Sequence, residues 1–104
     1  MEYEKAKKIL ENYSQNYEFY KTVTEDASSD SELEWLADEL KKQRKEIIRR
    51  LKRMRDTKAR QFLYYRYIKH IKLKDIPTMP RWQYEERQIY RLQRKAIEKF
   101  ARCD

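Results

Sequence analysis

Arginine and glutamine side chains recur along residues 84–101, which read YEERQIYRLQRKAIEKFA. If this stretch and the residues just before it are helical, four apolar side chains fall within about 60° of Ile89 at about 100° per residue: Trp82, Leu92, Ala96 and Phe100. The opposite face carries Gln83, Tyr84, Arg87, Arg91 and Arg94, with Gln88 and Lys95 on its flank. Arginine and glutamine pair with guanine and adenine edges, and arginine and lysine also bind phosphate. The pattern predicts a helix from about Arg81 to Arg102 whose outer face suits nucleic acid.

The two ends of such a helix suit different contacts. In a helix-turn-helix, the N-terminal part of the recognition helix reaches the bases, and later residues reach the backbone. We therefore expect residues 81–95 to read the major groove, with base contacts from Gln83, Tyr84, Arg87, Gln88 and Arg91. The candidate phosphate contacts are Lys72, Lys74, Arg81, Arg94, Lys95 and Lys99. The alternative is an ordinary solvated basic surface on the helix.

The distribution of charge favours a nucleic-acid partner for the C-terminal part of the chain. The 104 residues carry a net charge of +8, yet residues 1–40 hold four Lys and eleven Asp or Glu. Residues 41–104 hold 22 Lys or Arg and seven acidic residues. A segment this basic attracts phosphate because each neutralised phosphate releases condensed counterions. The acidic N-terminal part does not suit DNA and favours a protein contact instead.

Residues that could support catalysis are few. His70 is the single histidine, Cys103 the single cysteine, and the sequence has neither an HExxH nor a CxxC pattern. The chain also has no glycine, and therefore no glycine-rich loop to cradle phosphate. We expect a binding protein with no catalytic residues, no metal site and no cofactor.

Two long helices are predicted to precede the basic segment. Apolar residues spaced by three and four run from Ala6 to Val23 and predict a helix that ends near Thr24. Residues 24–32 are acidic and rich in serine, as expected of a loop. Ser31, with Glu34 three residues later, matches a capping box that starts a second helix. The apolar stripe of that helix approximates a heptad: Leu33, Leu36, Ala37, Leu40, Ile47, Leu51 and Met54. This stripe suits either an internal helical hairpin or a coiled-coil dimerisation arm.

The most apolar segment predicts a central core helix. Asp56 can cap a helix that starts at Thr57. The segment ARQFLYYRYIKHIK then supplies the core residues Phe62, Leu63, Tyr65, Tyr67, Ile68 and Ile71. No stretch alternates with period two for long enough to predict a strand. We expect an all-α protein with a helical arm over residues 1–56 and a DNA-binding region over residues 57–104, which can also form one compact unit.

Residues 58–101 resemble a known helix-turn-helix pattern. The run RYI (66–68), the element from Leu73 to Ile76, and the run YEERQIYRLQRKA (84–96) match a pattern shared by sigma factor region four and the ArpU-like and RinA-like phage late-gene regulators. In the second helix the matching residues are Tyr84, Arg87, Ile89, Tyr90, Arg91, Leu92 and Ala96. The resemblance implies a sigma region four-like helix-turn-helix and a transcriptional regulator, in phage relatives often an activator. It also implies a contact with RNA polymerase.

The chain departs from that pattern at the turn. Glu85 replaces the usual capping serine, and the stretch before Trp82 is about two residues longer and contains Pro77 and Pro80. Proline inside the first helix would remove a hydrogen bond and clash with the preceding turn. We therefore expect a first helix of a single turn or one displaced toward Leu73, followed by a stiff elbow that Trp82 anchors to the core.

Three functions compete on these grounds. The first is a phage-type activator that binds double-stranded DNA, either as a homodimer or with its N-terminal part on RNA polymerase. The second is a phage-encoded interaction module that inhibits or redirects a host protein, such as RNA polymerase or another nucleic-acid-binding protein. The third is a structural RNA binder, suggested by nine tyrosines among basic residues. Tyrosines at helical core spacing weaken the third. Without a signal peptide or membrane span in the sequence, we expect a location in the cytoplasm of the bacterial host.

Overall fold

The computed structural model describes residues 1–26, 31–79 and 85–103, and these residues form helices without a strand. Helix α1 spans Tyr3–Asp26, α2 spans Ser31–Arg53 and α3 spans Thr57–Leu63. A π-helical turn, Tyr64–Ile68, continues α3, and a 3₁₀ helix follows at Leu73–Thr78. Helix α4 spans Glu86–Arg102. The expected all-α class is confirmed.

Helices α1 and α2 pack against each other and contribute buried residues to one core. Ala6, Leu10 and Tyr13 are buried on α1, and Ile47 and Leu51 are buried on α2. The apolar heptad positions of α2, which suited a coiled-coil seam, are therefore covered in their C-terminal half by the chain itself. Helix α1 runs two residues past the expected end at Thr24. Residues 27–30 of the predicted loop and the capping side chain of Ser31 lie outside the described residues.

The start of α3 shows the cap that the sequence predicts. Asp56 has extended backbone angles, φ −77° and ψ 103°, and its Oδ1 accepts a hydrogen bond from the Ala59 N–H at 3.0 Å. The ammonium group of Lys99 also donates to Asp56 Oδ2 and lowers the pKa of this carboxyl group. The hydrogen bond from Ala59 lowers the pKa further. The cap thus joins the start of α3 to the last turn of α4.

The predicted core helix is divided into an α-helical and a π-helical part. Phe62 and Leu63 are fully buried at the end of α3, and Tyr67 and Ile68 are buried in the π turn. The Lys69 N–H bonds to the Tyr64 carbonyl at 2.9 Å, five residues back, which is the π pattern. The turn stops at His70, which has a positive φ of 59°.

His70 is held in this conformation by aromatic packing. Its ring stacks on Tyr17 of α1, with the centroids 3.7 Å apart and the planes 8° apart. Left-handed backbone normally favours glycine at a helix end, and this chain contains none. Burial lowers the pKa of His70, so the neutral imidazole is the form that packs there. His70 therefore ends the core helix and joins it to α1, consistent with a packing role.

Candidate nucleic-acid interface

Helix α4 begins later than the sequence pattern indicates. We expected its start near Arg81, but Glu85 has extended angles, φ −70° and ψ 157°, and α4 begins at Glu86. The Glu85 N–H donates to Gln88 Oε1 at 3.0 Å. Gln88 lies three residues after Glu85, so this capping bond fixes the start of α4 at Glu86. The prediction of one recognition helix over residues 81–95 was therefore wrong at its N-terminal end. Residues 81–84, which include Trp82, Gln83 and Tyr84 of the predicted helix, lie outside the described residues.

The inner face of α4 is buried against the rest of the chain. Ile89, Ala96 and Phe100 are buried as expected, Leu92 is half-buried, and Ile97 and Ala101 are also buried. These residues pack against α1, α3 and the 3₁₀ helix. At the C-terminal end, Arg50 of α2 lies over the Phe100 ring and donates to the Cys103 carbonyl at 3.0 Å. The helix is thus held firmly along its inner side.

The outer face of α4 is strongly basic. Six of its residues are Lys or Arg and two are Glu. Arg87 and Arg91, two of the base-reading candidates, are exposed. Among the described residues, neither arginine has an ion-pair or hydrogen-bonding partner. Both guanidinium groups therefore keep their donors available for an external acceptor.

The other base-reading candidates differ from these two arginines. Gln88 is exposed, but its Oε1 already accepts the Glu85 N–H, which leaves its two amide hydrogens for another contact. Gln83 and Tyr84 lie outside the described residues. The structure therefore brings Arg87, Gln88 and Arg91 together on the first turns of α4.

The phosphate candidates fall into two groups. Lys72, Lys74 and Lys95 are exposed and make no ion pair with any other described residue. Arg94 pairs with Glu98 at 3.5 Å and lies 6.0 Å from the Tyr3 ring, and Lys99 pairs with Asp56. Arg81 lies outside the described residues. The first group offers the larger charge to a phosphate because no carboxylate of the described residues competes for it.

A short 3₁₀ helix holds Lys72 and Lys74 near α4. It begins at Leu73, where we expected a shortened first helix, and its Ile76 is fully buried in the core. Pro77 lies inside it, and the Thr78 hydroxyl donates to the Asp75 carbonyl at 2.6 Å where the helix ends. Because proline has no N–H and disfavours a continuing α-helix, the segment stays short. The Pro80 to Trp82 part of the expected elbow lies outside the described residues.

Two exposed residues beside the candidates were missed. Tyr90 is 56% exposed next to Arg91, and Arg102 is exposed in the last turn of α4. On the helical projection Tyr90 lies about 100° from Ile89, between the buried and the basic faces. That position alone does not predict exposure. Arg102 falls at the centre of the basic face and could have been included from the same projection.

Comparisons with protein-family models, with curated proteins and with solved structures found no match. The described helices include none that is long and apolar enough to cross a bilayer.

Proposed function

We propose that this protein is a phage-type DNA-binding transcriptional regulator, acting as an activator, that places the N-terminal turns of α4 in the major groove. Its support is the pair Arg87 and Arg91, exposed one helical turn apart on a helix whose other side is buried. A helix fixed on one face and basic on the other can enter a groove without rearranging. Arginine at such positions pairs with guanine O6 and N7.

The 3₁₀ helix and α4 form the helix-turn-helix in this proposal. The 3₁₀ helix packs against α4 and buries Ile76 in the common core, as the first helix of such a motif must, and Lys72 and Lys74 are exposed at its start. These lysines would meet the phosphate backbone beside the groove, together with Lys95 on α4. RNA polymerase is the proposed second partner, with the acidic N-terminal part of the chain, residues 1–40, as the contact. If the protein is a homodimer, its two-fold symmetry requires a palindromic DNA site.

Selection from random double-stranded DNA with the purified protein tests the proposal. We expect a defined sequence motif, whose symmetry reports whether one or two copies bind. Arg87→Ala or Arg91→Ala should each weaken binding to the selected site by about 1–3 kcal/mol and relax preference at one position. Arg49→Ala on α2 removes the same charge elsewhere and serves as the control.

The proposal fails if no sequence is enriched at physiological salt, or if Arg49→Ala weakens specific binding as much as Arg87→Ala. Recovery of one stoichiometric host protein without DNA would then favour the interaction module.

A further inference from the structure

The outward face of α2 carries a second basic surface, separate from every DNA candidate. Five exposed cations spaced by three and four residues surround the half-buried Ile48, and we call them the α2 stripe: Lys41, Arg44, Lys45, Arg49 and Lys52. These residues and Ile48 line an open depression of about 390 Å³. At about 1.5 Å per residue the stripe is roughly 16 Å long. It is therefore long enough to contact about three turns of a helix, or a short extended segment, along its whole length.

Most of the charge on the α2 stripe is uncompensated. Arg49 pairs with Glu46 at 2.8 Å. In contrast, Lys41, Lys45 and Lys52 have no carboxylate partner within the described ranges. Cations this close repel one another, and a ligand that supplies carboxylates would relieve that repulsion.

The α2 stripe leads into an apolar cleft. Between α2 and the α3 region lies a cavity of about 240 Å³ lined by Ile48, Leu51, Lys52, Arg60, Gln61, Tyr64 and Tyr65. Ile48 and Lys52 line both the depression and the cleft, so the two adjoin each other. Small-molecule sites usually exceed about 300 Å³. A cleft below that size, with one open side and cations at its rim, suits a single apolar side chain.

We propose that the α2 stripe and this cleft bind an acidic amphipathic segment of a partner protein. Its carboxylates lie along the stripe, and one large apolar side chain enters the cleft beside Ile48. The positive charge of the stripe requires a negatively charged partner, and the apolar cleft requires a partner with an apolar side chain, which a protein segment supplies. A phosphodiester backbone has no apolar group for the cleft. The Tyr64 ring is poorly placed to stack on a base, because it packs edge-on to Tyr65 at 5.9 Å and lies under Lys69 Nζ at 5.7 Å.

This inference goes beyond the DNA-binding proposal because the surface contains none of the residues assigned to DNA. The two proposals can therefore fail independently.

Panning of a displayed library of random peptides against the full-length protein, at about 0.15 M ionic strength, tests the inference. We expect enriched peptides rich in Asp and Glu that share one large apolar residue. A synthetic peptide of the enriched sequence should bind in a fluorescence-polarisation assay. Lys45→Glu with Lys52→Glu should weaken that binding by at least about tenfold. Replacement of the shared apolar residue of the peptide by alanine should also weaken it.

The control is Lys72→Glu with Lys74→Glu, which changes the net charge equally on the DNA side and should leave peptide affinity within about twofold. Thermal unfolding followed by circular dichroism verifies that each variant is folded. The inference is overturned if no peptide motif is enriched, or if both double variants lower the affinity for the peptide equally. It is also overturned if the stripe variant loses DNA affinity and not peptide affinity, since the stripe then binds nucleic acid. If the wild-type protein binds no peptide but self-associates, and the stripe variant does not self-associate, the surface binds a second copy of this chain instead.

Discussion

Lys72→Ala combined with Lys74→Ala should flatten the salt dependence of DNA binding without harming the fold. Both side chains are exposed on either side of the half-buried Leu73, and neither pairs with a carboxylate among the described residues. Ile76 is fully buried, and the 3₁₀ helix that contains it contacts α4. Surface substitutions of this kind change stability by less than about 0.5 kcal/mol. Any effect on DNA therefore reports the two charges.

The size of the effect follows from counterion release. Each phosphate neutralised on duplex DNA adds about 0.9 to the slope of log K against log salt. Loss of two contacts should therefore reduce the slope by about 1.8. Between about 50 and about 200 mM salt, wild-type affinity should fall roughly twelvefold more than that of the variant. The weakening at low salt should be similar for the selected site and for unrelated DNA, because phosphate contacts carry no sequence information.

Fluorescence anisotropy titrations over a salt series, with the selected duplex and a scrambled one, measure both slopes. Lys45→Ala with Lys52→Ala removes the same charge from α2 and is the matched control. If the control flattens the slope as much as the Lys72 and Lys74 variant, net charge alone explains the effect. In that case the proposed phosphate contacts at the 3₁₀ helix do not exist.

Three further predictions concern the support of the interface. Phe100→Ala should cost about 3–5 kcal/mol of unfolding free energy in urea titrations, because the ring is fully buried. The exposed-site control Tyr90→Ala should cost less than about 1 kcal/mol, and equal losses would contradict the assigned inner face. Gln88→Ala should cost about 0.5–1 kcal/mol by removing the acceptor for the Glu85 N–H, whereas Gln88→Glu keeps an acceptor and should restore the thermal midpoint. The pKa of His70 lies below its usual 6.5 because burial disfavours the charged ring. The unfolded chain then binds more protons than the folded one as the pH falls through that value, so stability should fall as the pH falls below about 7. Asparagine tolerates positive φ and does not titrate, so the stability of His70→Asn should fall less steeply with pH. An unchanged pH profile would show that His70 does not cause the fall.

The predictions that held concern local patterns. Asp56 was identified as a cap because its short carboxylate can accept an N–H from the first turn that follows, and that bond is observed to Ala59. The buried positions on α4 followed from helical spacing around Ile89 and extend to Phe100. Both depend on residues within a few turns of each other. Such information is present in the linear chain.

The start of α4 was mispredicted because two local signals compete there. The apolar and basic periodicity continues upstream to Trp82, which favoured an earlier start. Glu85 followed by Gln88 is also a capping pattern, and it determines where the helix begins. Periodicity shows which residues could share a face, but it does not show where the backbone leaves the helical conformation.

The amino-acid sequence by itself determined the helical class, the Asp56 cap and the basic outer face of α4, because these follow from composition and from spacing within single helices. Only the tertiary structure decided that the α2 stripe adjoins an apolar cleft, that His70 stacks on Tyr17, and that Lys99 is paired with Asp56. These relations join residues far apart in the chain. They arise from packing of whole elements, whose geometry no local pattern contains.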